Sequence, residues 1–413
     1  MIIDSKQYNG MCACGREHKM TTVLSVVEPG CMKKIGDYLK QMHLDGCTAA
    51  IYDENTYRAT ADRHPAVDHE IVLDPENLHA NEHGVDLLMG KLPKEAKILI
   101  AVGSGTIHDL TRYCAYKNGL EFVSCPTAAS VDGFCSSVAA MTWHGCKKTL
   151  TAKSPLFVLA DIDIIKSAPI RLAKSGFGDM IGKFIALTDW KISHILTGEF
   201  YCDRIAELTL EATRKVMDSA DGILQGEEKA YEALMAGLLL SGLAMQMMGN
   251  SRPASGAEHH ISHIIEMQPE FIRRESHALH GEKVGVGTLI AAEVYRKLAA
   301  LPSPAFTDYT EFPAEELREV FGSRLSDEIA AENSKDCAAG IKGRTIAESW
   351  EKIREELQKI PDPAALAALY ERHGIKRTLS DIEADDGILE KLIAYSPAVR
   401  NRVTLMRIKK CIH

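Results

Sequence analysis

The sequence has little that would take the protein into a membrane or out of a cell. It contains no run of the ~18 uninterrupted apolar residues that a membrane helix needs. The longest apolar stretch, residues 236–248, is interrupted by Ser241, Gly242 and Gln246. The first residues lack a basic start followed by an apolar run, so we expect no secretory signal. We therefore expect no membrane partner.

Positive charge is also in short supply. The 57 aspartates and glutamates outnumber the 48 lysines and arginines, which gives a net charge of −9 and a pI near 6.0. A nucleic-acid-binding protein normally concentrates basic residues on one face, so we expect no nucleic-acid partner. The 11 cysteines are an odd number scattered along the chain. Without an export signal, this pattern favours reduced thiols in a cytoplasmic protein.

The sequence has no Cys-x-x-Cys zinc knuckle, but its N-terminal segment CACGREH places Cys12, Cys14 and His18 close together. Thiolate and imidazole are the usual ligands of zinc, so the segment can be half of a zinc site. No second pair of cysteines or histidines follows at a matching spacing. A hairpin turn with small buried thiols is therefore the favoured interpretation, and a zinc site is the alternative.

Three common motifs of nucleotide binding and nucleophilic catalysis are missing as well, namely GxGxxG, the P-loop and GxSxG. In their place, the sequence GSGT at 103–106 separates a buried strand predicted over 96–102 from a helix predicted over 107–117. Glycines let the backbone approach a phosphate closely, and the N-terminus of a helix offers unpaired N–H groups. The turn therefore indicates a phosphate cradle.

Asp53 follows an earlier predicted strand, 48–52. At the end of such a strand a carboxylate can accept hydrogen bonds from the ribose hydroxyls of a dinucleotide. Capping of the helix predicted to begin near residue 55 is an equally good interpretation of the same aspartate. The sequence leaves both open.

Strands and helices alternate over the first ~110 residues, a pattern that predicts a doubly wound, mostly parallel sheet. After residue 170 there is almost no alternating strand pattern, and long helical runs dominate. We therefore expect an α/β, Rossmann-like dinucleotide-binding domain over 1–165. An all-helical metal- and substrate-binding domain is expected over 166–413, with a cleft between the two.

Two further segments carry candidate site residues. The loop TAASVDG at 127–133 is rich in small residues and hydroxyls, contains Asp132, and is followed by Ser136. It can line a pocket, or it can be an ordinary β-turn. The run SGFGD at 175–179 precedes a helix predicted to reach Trp190. We therefore expect Asp179 at the start of that helix, as an N-cap or first-turn residue.

Histidines are concentrated between residues 259 and 280. Five of them lie in these 22 residues, whereas 16 histidines in 413 residues would place about one there. His259 and His263 are four residues apart in a predicted helix and would share one face. Imidazole is the commonest side-chain ligand of transition metals. The pattern indicates a metal site, and coincidental clustering is the alternative.

Taken together, five motifs resemble the sn-glycerol-1-phosphate dehydrogenase family, nearest to its bacterial, arabinose-operon-type branch. That family belongs to the iron-type (group III) alcohol dehydrogenase and glycerol dehydrogenase superfamily. The resemblance covers roughly residues 12–300 and implies the dehydroquinate synthase-like architecture of that superfamily. The motifs are GSGTIHD at 103–109, PTAASVDG at 126–133, GFGD at 176–179, SGAEH at 255–259 and LHGE at 279–282.

The resemblance implies a catalytic divalent metal held by Asp179, His259 and His280, a ligand set that suits Ni, Zn and Fe. It also implies that the substrate contacts Asp132, Asp179 and His263. The implied cofactor is NAD, with NADP as an alternative. The residues implied to bind the cofactor are Asp53, Gly103, Ser104, Gly105, Thr106, Ile107, Thr127, Ala128, Ala129, Ser130 and Ser136.

The implied reaction is the reversible reduction of dihydroxyacetone phosphate to sn-glycerol 1-phosphate, in a homo-oligomer. Asp53 would repel a 2′-phosphate, which favours NAD over NADP. Candidate ligands of the substrate phosphate are Lys147, Lys148, Lys153 and Arg252, because they stand in or beside the matching motifs. The alternatives are a glycerol dehydrogenase for an unphosphorylated polyol, a dehydroquinate synthase-type lyase, and an inactive metal- and nucleotide-binding sensor. The lyase is disfavoured because its usual metal site has a glutamate where this chain has Asp179.

Overall fold

The computed structural model describes residues 1–143 and 146–413, with the backbone only at residues 146 and 147. In chain order, strands β1 to β11 span Ile2–Asp4, Gly10–Met11, Glu17–His18, Leu24–Glu28, Cys47–Asp53, His69–Leu73, Ala96–Gly103, Glu121–Pro126, Val138–Trp143, Cys146–Thr151 and Phe157–Asp161. Helices α1 to α17 span Ile35–Gln41, Glu54–Ala59, Glu82–Lys91, Gly105–Asn118, Ile162–Ser167, Ile170–Ile181, Lys183–Thr197, Asp203–Asp218, Ala220–Gln225, Glu228–Met248, Ala257–Met267, His280–Ala299, Ala314–Glu332, Gly343–Leu357, Pro363–Arg372, Leu389–Tyr395 and Leu405–Ile408.

Seven of the described strands form one sheet in the order β1-β4-β11-β8-β7-β5-β6. Every neighbouring pair is parallel except β1 with β4. The alternation of strands and helices predicted this mostly parallel sheet, and the prediction is confirmed. The antiparallel edge strand β1 was not predicted, because its three residues are too few to show a period.

Both faces of the sheet are buried. On one face Ile98 and Ile100 of β7 pack in a cluster with Ile35 of α1. On the other face Leu99 of β7 packs with Leu110 of α4. After the exposed Lys97, every position of β7 is buried. A strand covered on both faces needs apolar residues at every position, which explains why this part of β7 is a continuous apolar run and not an alternating one.

The strand order reverses direction between β5 and β7. From β5 the chain adds β6 on one side, and it then places β7 on the other side of β5. Ile51 of β5 lies beside Ala101 of β7, so Asp53 and Gly103 end the two strands at the same edge. In sheets of this kind, ligands bind in the crevice that opens at such a reversal, outside the carboxyl ends of the strands.

Two antiparallel hairpins stand outside the main sheet. The pair β2–β3 closes the CACGREH turn, so the predicted hairpin is confirmed, although the thiols of Cys12 and Cys14 are half-buried and not buried as expected. The pair β9–β10 was not predicted, since the sequence over 144–153 indicated only a polar, basic segment. His144, Gly145 and the side chain of Lys147 lie outside the described residues.

The chain forms two compact units. Unit 1 comprises residues 1–180 and 214–250, and unit 2 comprises residues 181–213 and 251–413. Helix α10 therefore packs with the sheet, although the expected division at 165/166 assigned it to the helical part. Gly242 of α10 lies against Cys135 and the backbone of Asp132, a contact between distant segments that the order of the sequence does not reveal.

Within the described part of the chain, one helix, α10, is long and apolar enough to cross a membrane by length and composition. However, 67% of its most apolar window is buried. Its polar positions make internal contacts: Ser241 Oγ donates to Asp132 Oδ2 at 2.8 Å. These contacts are those of a core helix in unit 1.

Unit 2 is organised around a buried carboxylate. Asp189 of α7 accepts hydrogen bonds from the backbone N–H of Ala257 (2.9 Å), the backbone N–H of Leu405 (2.8 Å) and the hydroxyl of Tyr295 (2.7 Å). Burial raises the pKa of Asp189 to about 7, although these donors oppose the shift. Because Ala257 and Leu405 begin α11 and α17, one side chain fixes the starts of two helices.

Candidate active site

The glycine-rich turn lies at the end of β7, as predicted. A Cβ atom on Gly103 would lie 2.7 Å from Cβ of Ile107, so this position accommodates only glycine without rearrangement. Thr127 donates its N–H to the carbonyl of Gly103 at 3.0 Å. The hydroxyls of Ser104 and Ser130 are 3.0 Å apart. The structure thus brings the predicted residues of 103–107 and 127–130 together at the start of α4.

Asp53 caps helix α2 and also lies at the strand reversal. Its Oδ1 accepts from the N–H of Thr56 at 2.8 Å, and its own N–H donates to the Thr56 hydroxyl at 3.1 Å. The capping interpretation is therefore confirmed. A capping bond to one carboxylate oxygen is compatible with a ribose contact through the other, so the cofactor role stays a prediction.

His108 stabilises the glycine-rich turn through hydrogen bonds to Ser104 and Ser124. Its Nδ1 is 2.9 Å from the carbonyl of Ser104, and its Nε2 is 2.8 Å from the hydroxyl of Ser124. Burial, reinforced by Arg112, lowers the pKa of His108 to about 3, so the ring is neutral. The carbonyl can only accept, so Nδ1 carries the proton and Nε2 accepts from Ser124.

The loop that follows β8 is held by Arg112, a fully buried residue of α4. Its guanidinium donates to the carbonyls of Phe134 (3.3 Å), Ser136 (3.0 Å) and Val138 (3.2 Å). The Ser136 hydroxyl, predicted to contact the cofactor, donates to the carbonyl of Val138 at 2.9 Å. One arginine therefore sets the path of the backbone around the predicted pocket loop.

Asp179 is not at a helix start, so that expectation is wrong. It lies in the last turn of α6 and is fully buried. The glycines that suggested a break lie inside the helix, where Gly176 is needed for packing: a Cβ there would be 2.1 Å from the carbonyl oxygen of Ala129. Asp179 Oδ2 accepts from the N–H of Asp132 at 3.0 Å. The two predicted aspartates are therefore neighbours.

Three of the five clustered histidines meet in unit 2. His259 and His263 lie on one face of α11, as predicted, and His280 begins α12. Ring centroids are 5.3 Å apart for His259 and His280, 5.9 Å for His259 and His263, and 6.1 Å for His263 and His280. Ring nitrogens of His259 and His280 lie within 4.8 Å of each other, close enough to share one ion.

A carboxylate orients each of the two rings that were predicted as metal ligands. Nδ1 of His259 is 2.7 Å from Oε1 of Glu258, and Nδ1 of His280 is 2.9 Å from Oε1 of Glu266. Since an ionised carboxylate can only accept, Nδ1 carries a proton in both rings, and Nε2 of the neutral ring is then the nitrogen with the lone pair. Carboxylate–histidine pairs of this kind are the usual outer partners of a metal-bound imidazole.

The residues of unit 2 fit a divalent transition metal. In their neutral form, the two imidazoles present Nε2 lone pairs, which such an ion binds well. His263 completes the triangle, and burial together with Arg400 holds its pKa well below the ordinary value. Within the described residues, Nδ1 of His263 is buried without a hydrogen-bond partner, which is costly unless a polar ligand atom reaches it.

Comparisons with known proteins identify the family of this chain. A family model described as iron-containing alcohol dehydrogenase matches residues 26–169. The glycerol-1-phosphate dehydrogenase (NAD(P)+) of Bacillus licheniformis is 33% identical over 98% of this chain and 92% of that protein. The corresponding protein of Halalkalibacterium halodurans is 31% identical over 98% of this chain and 97% of its own length. The chain belongs to the glycerol-1-phosphate dehydrogenase family.

The fold of this glycerol-1-phosphate dehydrogenase family member also matches solved structures. A probable glycerol dehydrogenase from Sinorhizobium meliloti 1021 superposes with a TM-score of 0.61 at 18% identity, over 92% of this chain and 90% of that one. Sulfoacetaldehyde reductase from Bifidobacterium kashiwanohense with NAD+ gives 0.59 at 14% identity, over 95% and 96%. These similarities confirm the predicted architecture.

The basic residues predicted to bind the substrate phosphate differ in the contacts that they make in this family member. Lys153 forms an ion pair with Glu121 at 2.9 Å, and Lys148 is half-buried in β10. Arg252 makes a two-pronged ion pair with Glu199, through Nε at 2.8 Å and Nη2 at 2.5 Å. It also donates to the carbonyl of Val403, so these bonds give the Arg252 guanidinium a structural role in unit 2.

Sequence reasoning missed the residues that orient the ligands. Glu266 follows His259 and His263 by seven and three residues, so the helical period that united the histidines would also have found it. Glu258 is next to His259, and no spacing rule predicts that contact. Arg112 lies four residues after His108 on α4, but nothing in the sequence indicates that its guanidinium is buried.

Proposed function

We propose that this protein is an NAD(P)- and metal-dependent oxidoreductase that reduces dihydroxyacetone phosphate to sn-glycerol 1-phosphate. The observation that carries the proposal is the pair of carboxylate-oriented imidazoles, His259 and His280, in a chain that belongs to the glycerol-1-phosphate dehydrogenase family. We further expect a cytoplasmic homo-oligomer, whose mass light scattering would measure.

In this proposal His259 and His280 bind one divalent ion through Nε2, and Asp179 supplies the third ligand. Nickel, zinc and iron are the candidate ions, because each accepts a carboxylate and two imidazoles. When bound, such an ion polarises the substrate carbonyl as a Lewis acid. Glu258 and Glu266 keep the two rings in the tautomer that this binding requires.

The cofactor is proposed to bind at the β5–β7 reversal. The N–H groups at the start of α4 face the pyrophosphate, and Gly103 allows the close approach. The second oxygen of Asp53 accepts from the ribose hydroxyls, and its charge disfavours the 2′-phosphate of NADP. The hydrogen bond between Ser104 and Ser130 holds the two cofactor-facing segments in a fixed relation.

The substrate is proposed to be held by Asp132 and His263. Nδ1 of His263 offers a buried hydrogen-bonding position to a substrate hydroxyl. Asp132 is fixed by Ser241, so a carboxylate oxygen can accept from a second hydroxyl in a defined direction. Reduction of the ketone consumes one hydride from the nicotinamide and one proton, which the neutral imidazole of His263 can relay from solvent.

The decisive experiment is oxidation of NADH by dihydroxyacetone phosphate, with chiral analysis of the glycerol phosphate formed. We expect sn-glycerol 1-phosphate, loss of activity on chelation, and recovery when a divalent transition metal is added back. His259→Ala and His280→Ala should each lower the rate by at least about 100-fold. His277→Ala is the matched control, because this histidine of the same segment has no proposed role.

Three results would overturn the proposal. Formation of the 3-phosphate enantiomer would contradict the stereochemistry. Activity only on unphosphorylated glycerol would instead favour the glycerol dehydrogenase alternative. Full activity after exhaustive chelation, with the metal content confirmed to be zero, would remove the role assigned to His259 and His280.

A further inference from the structure

The N-terminal hairpin of unit 1 has a compact turn that the proposed reaction does not use. Gly10 pairs with His18, and Met11 pairs with Glu17. Inside the turn, Cys12 donates its N–H to the carbonyl of Arg16 at 2.9 Å. Such a short loop places side chains that are two and six residues apart in the sequence on the same small surface.

Three metal-binding side chains converge at this turn. The sulfur atoms of Cys12 and Cys14 and a ring nitrogen of His18 all lie within 4.8 Å of one another. Sγ of Cys14 is 3.4 Å from Nε2 of His18. In a tetrahedral zinc site, with Zn–S about 2.3 Å and Zn–N about 2.1 Å, a sulfur and a nitrogen ligand are about 3.6 Å apart. The observed separation already agrees with shared coordination.

His18 is held in the tautomer that a metal ligand requires. Its Nδ1 is 2.9 Å from the carbonyl oxygen of Met247, at the end of α10. Because that carbonyl can only accept, Nδ1 carries a proton, and Nε2, the nitrogen with the lone pair in the neutral ring, faces Cys14. A backbone carbonyl behind a ligand histidine is a common outer partner of bound zinc. His18 is 2% exposed, so its ring cannot easily turn away.

The same end of α10 is tied to the chain that follows the hairpin. Gln246 Oε1 accepts from the backbone N–H groups of Thr21 (3.0 Å) and Thr22 (3.3 Å). Its Nε2 donates to the Thr22 hydroxyl at 2.8 Å. An ion at the turn would therefore fix the hairpin to the C-terminal end of α10, the helix that also contacts the loop of Asp132 through Ser241.

We propose that Cys12, Cys14 and His18 bind a structural zinc ion. Two thiolates and an imidazole favour a soft, tetrahedral, redox-inactive ion over magnesium or calcium. The fourth ligand is a solvent molecule or another thiol, and the buried Cys202 is the candidate to test. This site is independent of the proposed dehydrogenase function, since the ligands proposed for the catalytic ion contain no sulfur.

Cobalt substitution separates the two metal sites. The full-length protein is prepared under reducing conditions, stripped of metal, and titrated with cobalt(II). Only a cobalt ion bound by thiolate gives an intense sulfur-to-metal charge-transfer band in the near ultraviolet. We expect this band in the unmodified protein and in His259→Ala. It should be lost in Cys12→Ser and in Cys14→Ser.

Cys337→Ser is the matched control, because it removes a half-buried thiol elsewhere in the chain. It should keep the full band. Cys202→Ser shows whether this thiol is the fourth ligand: a weakened band identifies it, and an unchanged band assigns the position to solvent. The zinc content of the protein as isolated should fall by one ion per chain in Cys14→Ser, together with the midpoint of thermal unfolding.

The proposal does not depend on the variants folding. A thiol-specific mercurial added to the unmodified protein should release one zinc ion per chain, which a zinc-sensitive dye detects. Three results would overturn the proposal. They are absence of the charge-transfer band in the unmodified protein, its persistence in Cys14→Ser, and a Cys12–Cys14 disulfide in protein isolated under reducing conditions.

Discussion

Gly176 offers a sharp test of how the helical and loop segments of unit 1 fit together. In Gly176→Ala, the new Cβ would lie 2.1 Å from the carbonyl oxygen of Ala129, whereas real Cβ contacts are essentially never under 3.0 Å. The atom it meets is backbone, so the loop must move by about 1 Å. Such overpacking typically costs about 1–3 kcal/mol. Alanine recovers about 1 kcal/mol of helix propensity, which leaves a net loss of up to about 2 kcal/mol.

The displaced segment is the one proposed to bind NAD, so the effect should reach function. Ser175 donates to the carbonyl of Ser130 at 3.2 Å, which couples α6 directly to this loop. We expect the Kd for NADH to rise about 10-fold, equivalent to about 1.4 kcal/mol. A displacement of this size can lower kcat/KM by up to about 100-fold. Fluorescence titration measures the first quantity, and dihydroxyacetone phosphate-dependent NADH oxidation measures the second.

Gly90→Ala is the control for the helix itself. Gly90 lies in α3, and no atom lies within 4 Å of the position that a Cβ would take there, so only the gain in helix propensity applies. It should unfold at the same temperature as the unmodified protein or slightly higher, whereas Gly176→Ala should unfold lower by about 2 °C. If both variants bind NADH and unfold alike, the loop is not held against α6 in the way described.

Three further variants test other contacts. Glu266→Gln should weaken metal binding about 10–100-fold in a chelator competition, because the amide orients His280 less firmly; unchanged affinity would contradict that role. Asp53→Ala should raise the ratio of NADPH to NADH turnover at least about 10-fold and cost about 1 kcal/mol through the lost cap, and an unaltered ratio would contradict the ribose contact. Asp336→Ala should cost about 3 kcal/mol, because it leaves the buried guanidinium of Arg407, 2.9 Å away, without its carboxylate partner. Burial opposes ionisation of Asp336, but the hydrogen bonds from Arg407 and from a backbone N–H hold its pKa below the ordinary value. The stabilisation by ionised Asp336 is therefore present above about pH 4 and is lost as the pH falls further. The difference in urea midpoint between the unmodified protein and Asp336→Ala should accordingly disappear only in acid.

Local patterns predicted the framework of the protein well. The apolar run of β7 and the glycines after it are adjacent in the chain, so their physical consequences are also local: a buried strand, a tight turn and a helix start. The four-residue spacing of His259 and His263 likewise placed both rings on one face of α11. The β9–β10 hairpin was missed because its polar, basic residues do not alternate clearly.

Glycine was the least predictable element of the site. The two glycines in the segment around Gly176 are typical of a break between helices, so Asp179 was wrongly predicted to lie at a helix start. In the structure the helix continues through the run, because a close approach by the backbone at Ala129 requires a residue without a Cβ. Whether a glycine ends a helix or lets another segment come near is decided by what packs against it.

What the sequence determined by itself was the alternation that makes the sheet, the turn for a phosphate and the histidine pair on α11. Only the tertiary structure decided which side chains meet across long separations. Glu266 orients His280 from 14 residues away, and the carbonyl of Met247 fixes the ring of His18 from 229 residues away. Such contacts depend on the packing of whole helices and strands. No local spacing rule reaches that far along a chain.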